Sequence, residues 1–284
     1  MARKTVTILG VQIDSTSKGE VLDLVSQKTA KKAKPNKLVI LTPNPEILLA
    51  SYKDPGLRQT LNDADVCIPD GVGLLWAERF NSLPKSNSTI IGSFVYILQA
   101  IKAVFLLNKS VLELIKGRSL VLDLLDLGNQ KGLKVYFLGS TQNVILKTLS
   151  RVAIDYPGVR AKGFDGPVLN LEGEAVDSRN IKAESRAIFQ IKKFTPDILF
   201  IAFGHPKQEK WISKNIESLN SKVIMAVGGS LDYYSGEAKL PPSVFEKLGA
   251  EWFWRLLTDP KRYRRILNAI VIFPYKVIKF SKDK

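Results

Sequence analysis

Five short apolar runs, KLVILTP, ADVCIPD, LKVYFLG, PDILFIAFG and KVIMAVGG, punctuate the chain, with longer stretches of helical periodicity between them. A strand that is apolar at consecutive positions must be covered on both faces, and helices between such strands supply the cover. The alternation therefore predicts an α/β fold with a mainly parallel sheet and flanking helices. Each run ends in a small or polar residue. In open α/β sheets ligands bind outside the carboxyl ends of the strands, so these ends are where a site is expected.

Reading the strand ends in order collects Thr42 and Asn44 from LTPNPE, Asp70 and Gly71 from IPDGVG, Gly139 and Ser140 from FLGST, Gly204 and Gln208 from FGHPKQE, and Gly228, Gly229 and Asp232 from VGGSLD. Glycines let backbone N–H groups approach a ligand, and helices starting just beyond them aim partial positive charge at a phosphate. Turns and helix caps recruit the same residue types, so any one loop could be structural. The pattern gains weight because every strand end shows it.

Composition narrows the chemistry. One cysteine, Cys67, excludes an internal disulfide, and one histidine, His205, excludes a histidine-rich zinc centre and disfavours a serine-histidine triad. Forty-two Lys and Arg against 27 Asp and Glu give a net charge of +15, which suits nucleic acid, an anionic membrane face or a nucleotide-linked substrate. The N-terminal MARKTVTILGVQID has a basic start, but Gln12 and Asp14 break its apolar run too early for a signal peptide, which predicts a cytoplasmic protein. No apolar stretch reaches the roughly 20 residues that span a bilayer; 94–107 and 266–280 come nearest and both carry polar or lysine residues.

Two regions depart from the strand-and-helix rhythm. Around 81–116 the chain runs SFVYILQAIKAVFLLNKSVLELIK, too densely apolar for an ordinary surface helix; it fits a helix packed on the core, a dimer contact or an interfacial membrane helix. From about Pro241 onward, LGAEWFWRLLTDPKRYRRILNAIVIFPYKVIKFSKDK mixes aromatic and basic residues, as a segment lying on anionic lipid or a nucleic-acid arm would. The expected organisation is a catalytic domain over 1–236 and an appendage over 237–284.

The dinucleotide GxGxxG and the phosphate-loop GxxxxGK[ST] patterns are missing. Asp63 and Asp65 have the spacing of a metal-binding pair but precede their strand, away from the sheet top. Any nucleotide diphosphate handled here is expected to meet lysine, arginine and helix termini rather than a metal, and no cofactor is expected. Asp70, between Pro69 and Gly71, can cap the next helix or act as a general base. Thr42 can contact phosphate or sugar or simply make a turn; Asp232 can accept from a base N–H or cap a turn. His205 reads as a loop residue.

The ordered set TPNPE, ADVCIPDGVG, YFLGST, DYPGVRAKGFDGP, FGHPKQEKW, VGGSLDYYSGEAKLPP and EWFWRLLTDPKRYRR resembles the WecG/TagA/CpsF family of bacterial glycosyltransferases over most of the chain. The resemblance implies a Rossmann-like sheet of the GT-E type with a basic helical appendage. It also implies an inverting, metal-independent transfer of N-acetylmannosamine, its uronic acid or a hexose from a UDP-sugar to a polyprenyl-diphosphate-linked sugar, in cell-envelope polysaccharide or teichoic-acid-type synthesis. On that pattern Asp70 is the general base and Thr42 its partner. Asn44, Gly139, Gly204, Gln208 and Gly229 line the substrates, Asp232 lies near the uracil, and Arg255, Arg262 and Arg265 close over a diphosphate. Expected partners are the donor, the lipid-linked acceptor and the anionic inner face of the cell membrane, where the protein is peripheral; a homo-oligomer is compatible and nucleic acid is not expected. The chain departs from the family pattern in the 81–116 stretch, at Leu240 before the late prolines, and where an acidic residue is commonly found, Ser119 or Ser93 here. The competing class is a non-enzymatic basic protein that binds nucleotide or nucleic acid.

Overall fold

The computed structural model describes residues 4–30, 36–84, 91–242, 244–245, 251–260 and 263–282, without the side chains of 91–94 and Arg255. Its centre is a six-stranded sheet. The strands are β3 (Leu38–Leu41), β4 (Val66–Cys67), β5 (Lys134–Gly139), β6 (Arg160–Phe164), β7 (Ile198–Ala202) and β8 (Val223–Ala226). They lie in the order β4-β3-β8-β7-β5-β6 and every pairing is parallel. All five predicted runs contribute a strand.

Side chains alternate between the two faces of a strand, so each apolar run feeds two cores. Tyr136, Leu138, Leu199, Ile201 and Ile224 face one core. It is closed by α2 (Pro45–Lys53), α4 (Val72–Asn81), α8 (Ser178–Phe194) and α9 (Lys207–Asn215). Val135, Phe137, Ile198, Phe200 and Met225 face the other. That core is closed by α1 (Lys18–Thr29), α6 (Gly117–Lys131), α7 (Gln142–Asp155) and the short α10 (Ser230–Tyr234).

Two elements carry no continuous apolar run and are not evident in the sequence. The edge strand β6 reads RAKGF and stays largely open to solvent, so no apolar pattern marks it. At the N-terminus, β1 (Thr5–Ile8) and β2 (Val11–Asp14) form an antiparallel hairpin around Leu9 and Gly10, both at positive φ as a two-residue hairpin turn demands. Gln12 and Asp14, which interrupt the apolar run, are part of this strand: Gln12 faces out, and the buried Asp14 carboxylate accepts from the Cys67 N–H at 2.6 Å.

The apolar stretch after α4 forms α5 (Ile91–Phe105). One face docks on the core through Tyr96 and Ala103, and the Trp76 indole donates to the Ala100 carbonyl at 3.0 Å. The other face exposes Ile97, Leu98, Ile101, Val104 and Phe105. The chain end forms helices Glu251–Thr258, Tyr263–Leu267 and Phe273–Lys282. Phe273 and Val277 are buried in the same core cluster as Leu48 and Leu74, so the last helix is anchored on α2 and α4.

Gly139 shows how tightly the strand ends are packed. Its φ is +103°, and a Cβ there would lie 2.7 Å from the Ala202 carbonyl carbon on β7. Gly139→Ala is expected to destabilise the fold by about 2–4 kcal/mol, because backbone cannot yield as a side chain can. Urea unfolding measures this; a midpoint equal to that of the unsubstituted chain would contradict it.

Candidate active site

Parallel pairing of β3 with β4 delivers the residues that follow them to one end of the sheet. There the Leu41 carbonyl accepts from Ile68 N–H, the Pro43 carbonyl from Asp70 N–H and the Pro69 carbonyl from Ile115 N–H, at 2.9, 2.9 and 3.1 Å. These bonds stitch three loops together beneath the start of α6. Gly117, the first residue of α6, then sits against two side chains: a Cβ placed on it would lie 3.2 Å from Thr42 Oγ1 and 3.6 Å from Asp70 Oδ2. Thr42 and Asp70, 28 positions apart, thus share one corner. The N-cap of α4 is Gly71, so Asp70 does not occupy the capping position that was one of its two readings. Asn44 does cap: its Oδ1 accepts from the N–H groups of Glu46 and Ile47 at 3.0 and 3.1 Å.

A second cluster joins the ends of β5, β7 and β8. Ser140 Oγ donates to Asp232 Oδ1 at 2.9 Å, and a Cβ on Gly229 would lie 3.4 Å from Asp232 Oδ2. Gln208 is buried, with Oε1 accepting from Gly228 N–H at 3.0 Å and Nε2 donating to Glu209 Oε1 at 2.8 Å. His205, in the loop before α9, places Nδ1 3.3 Å from the other Glu209 oxygen. Gln208 therefore ties two strand ends together. Gly204, at φ +75°, faces open space. Beside this cluster a cavity of about 180 Å³ is lined by Ser140, Ala202, Phe203 and Lys207 together with 167–169; Thr42 and Asp70 do not border it.

The next lysine, Lys210, is committed to two carboxylates. It pairs with Asp54 at 2.6 Å and Glu172 at 2.7 Å. Burial works against its charge, but the hydrogen bonds to Asp54 and Glu172 hold it above the ordinary lysine value. The hydrogen bond from Lys210 in turn holds the Asp54 carboxyl below the usual range. This pair fastens α9 to α3 (Pro55–Asn62), which Asp54 caps.

The order β3-β8-β7-β5 makes the two clusters one rim. Three inter-strand steps span about 14 Å, on the scale of a nucleotide-sugar. The C-terminal segment borders this rim from two directions. Arg265 makes a forked contact with Glu46 in the first turn of α2, with Nη2 2.7 Å from Oε2. Glu251 pairs with Lys116 and, at 3.0 Å, with Arg118 at the start of α6. Of the three candidate arginines only Arg265 has a described side chain; Arg262 and the side chain of Arg255 lie outside the described residues. Gly117, Lys116, Arg118 and Glu251 are not singled out by the sequence. For the first three the only signal is a glycine between two cations, KGR, at the end of an apolar stretch; Glu251 carries none.

The sequence profile of the glycosyl transferase WecG/TagA/CpsF family matches residues 6–103 and 98–284. A Staphylococcus aureus protein named N-acetylglucosaminyldiphosphoundecaprenol N-acetyl-beta-D-mannosaminyltransferase is 31% identical over 277 residues, covering 98% of this chain and 93% of the relative. A Bacillus spizizenii protein of the same name is 32% identical over 229 residues, covering 81% of this chain and 74% of the relative.

Proposed function

The chain belongs to the WecG/TagA/CpsF glycosyltransferase family, and on that footing we propose that it transfers N-acetylmannosamine from a UDP-linked donor to polyprenyl-diphosphate-linked N-acetylglucosamine, with inversion and without a metal ion. The observation that carries this reading is the corner that Thr42 and Asp70 share beside Gly117, on the same strand-end rim as the Ser140–Asp232 pair. The sugar and lipid-linked acceptor follow the names of the relatives, N-acetyl-beta-D-mannosaminyltransferases acting on N-acetylglucosaminyldiphosphoundecaprenol. Family membership also favours a transferase over a non-enzymatic nucleotide or nucleic-acid binder.

In the proposed reaction the Asp70 carboxylate takes the proton of the attacking acceptor hydroxyl while that oxygen bonds to the anomeric carbon. The bond from that carbon to the donor phosphate breaks, and UDP leaves with its electrons. One displacement inverts the centre. Thr42 orients the acceptor beside Asp70, and Asp232 with Ser140 receives the uracil end. Charge developing on the leaving diphosphate is met by backbone N–H groups and cations, including the arginines of the C-terminal segment.

The membrane is the proposed setting, because a polyprenyl acceptor resides there. No helix among the described residues is long and apolar enough to cross a bilayer. The C-terminal helices instead expose Trp252, Phe253, Leu257, Tyr263 and Val271 among basic residues, which suits peripheral attachment to an anionic inner face.

A UDP-release assay with a polyprenyl-diphosphate-N-acetylglucosamine analogue and a panel of UDP-sugars, with and without EDTA, tests the proposal. Acceptor-dependent release from UDP-N-acetylmannosamine that survives EDTA is the expected result. Release that needs a divalent cation would remove the metal-free mechanism, and no release from any donor would remove the transferase reading.

A further inference from the structure

Lys116 and Arg118 flank Gly117, where a Cβ would lie within 4 Å of both Thr42 and Asp70. Both hold the same carboxylate, that of Glu251 in the first of the C-terminal helices described: Arg118 Nη1 donates to Oε2 at 3.0 Å, and Lys116 Nζ donates to Oε1. The three side chains are partly shielded, at 27% exposure for Lys116, 14% for Arg118 and 20% for Glu251. The Arg118 guanidinium also lies 5.8 Å from the ring centroid of Tyr233, the residue after Asp232. The two cations therefore flank the residue that borders Thr42 and Asp70, and each carboxylate oxygen of Glu251 engages one of them.

Two oxygens of one anion, divided between an ammonium and a guanidinium, are also what a diphosphate presents. Arginine forks suit phosphate as well as carboxylate, and lysine binds phosphate as a point charge. A diphosphate carries more negative charge than one carboxylate, so it competes well for the same donors. Coulomb attraction in this partly shielded position exceeds that on an open surface.

We propose that Lys116 and Arg118 form a diphosphate-binding pair at the strand-end rim, and that the Glu251 carboxylate is an intramolecular competitor which a diphosphate displaces from them. The proposal rests on the transferase reading only for its choice of diphosphate. Two sources share that chemistry, the nucleoside diphosphate of the donor and the polyprenyl diphosphate of the acceptor.

Calorimetric titration of the full chain with UDP, and separately with farnesyl diphosphate, both in EDTA, tests the pair and identifies the source. Glu251→Gln keeps the shape of the side chain and removes its charge. It is expected to tighten binding of one of the two probes by roughly tenfold, the size of a typical coupling between competing sites. Lys116→Gln and Arg118→Gln are expected to weaken binding of that same probe by roughly tenfold, and Arg118→Gln is expected to cancel the gain when combined with Glu251→Gln. The probe that responds names the source. If Glu251 only fastens the C-terminal segment, Glu251→Gln leaves both affinities unchanged or lowers them, and the proposal fails. Thermal unfolding identifies any cation variant that does not fold, and the sign of the Glu251→Gln effect then decides alone. Transfer by the unsubstituted chain is measured in parallel. The expected affinity changes without any transfer would retire the transferase reading and keep the diphosphate pair; transfer with unchanged affinities would do the reverse.

Discussion

Replacing Asp70 by Asn is expected to lower kcat by roughly 10²- to 10⁴-fold, the range over which a positioned general base contributes. The substitution is nearly isosteric, so Thr42 and the backbone of Gly117 keep their neighbour. The amide cannot take the acceptor proton. UDP affinity and the unfolding temperature are expected to hold, since Ser140 and Asp232, proposed to receive the uracil, stand on other loops. Steady-state UDP release, UDP calorimetry and thermal unfolding on one preparation separate the possibilities. If kcat stays within the unsubstituted range, Asp70 is not the base. A fall in unfolding temperature matching the loss of activity would instead assign it a structural role.

Gly117→Val is expected to lower kcat/KM by about a hundredfold, the cost of moving a reacting group by about 1 Å. Even a Cβ would meet Thr42 Oγ1 at 3.2 Å, and the two γ-methyls of valine reach beyond it. The fold is expected to tolerate the change, because Gly117 opens α6 and valine is a better helix former than glycine. Activity lost without stability is therefore the expected signature. Unchanged kcat/KM would show that the start of α6 does not border the reacting groups. A parallel loss of unfolding temperature would show a packing defect.

The two predictions differ in how far the sequence announces them. Asp70 stands at the end of a recognisable apolar run beside a glycine, where strand-end reasoning finds it. Gly117 follows no strand, and only the meeting of three loops places it against Thr42. Gln208 lies between these cases. Its position after β7 was legible, but its bond to Gly228 N–H, which joins two strand ends, was not. Asn44 was legible as a strand-end polar residue, and the structure commits its amide oxygen to the cap of α2.

Architecture shows the same division. Strands buried on both faces must be apolar at every position, so β3, β5, β7 and β8 were visible as unbroken runs. The edge strand β6 and the N-terminal hairpin need burial on one face or none, and their mixed composition hid them.

The sequence by itself determined the fold class and the rim of strand ends, because burial on two faces and turn chemistry at strand ends act over a few neighbouring residues, and its ordered motifs carried the family resemblance. Tertiary structure alone decided the partners across that rim: Thr42 and Asp70 against Gly117, Ser140 with Asp232, and Glu251 on Lys116 and Arg118. Each of these groupings joins residues from distant parts of the chain, up to 135 positions apart. Contacts of that range depend on strand order and helix placement, which come from packing the whole sheet and leave no local signature in the chain.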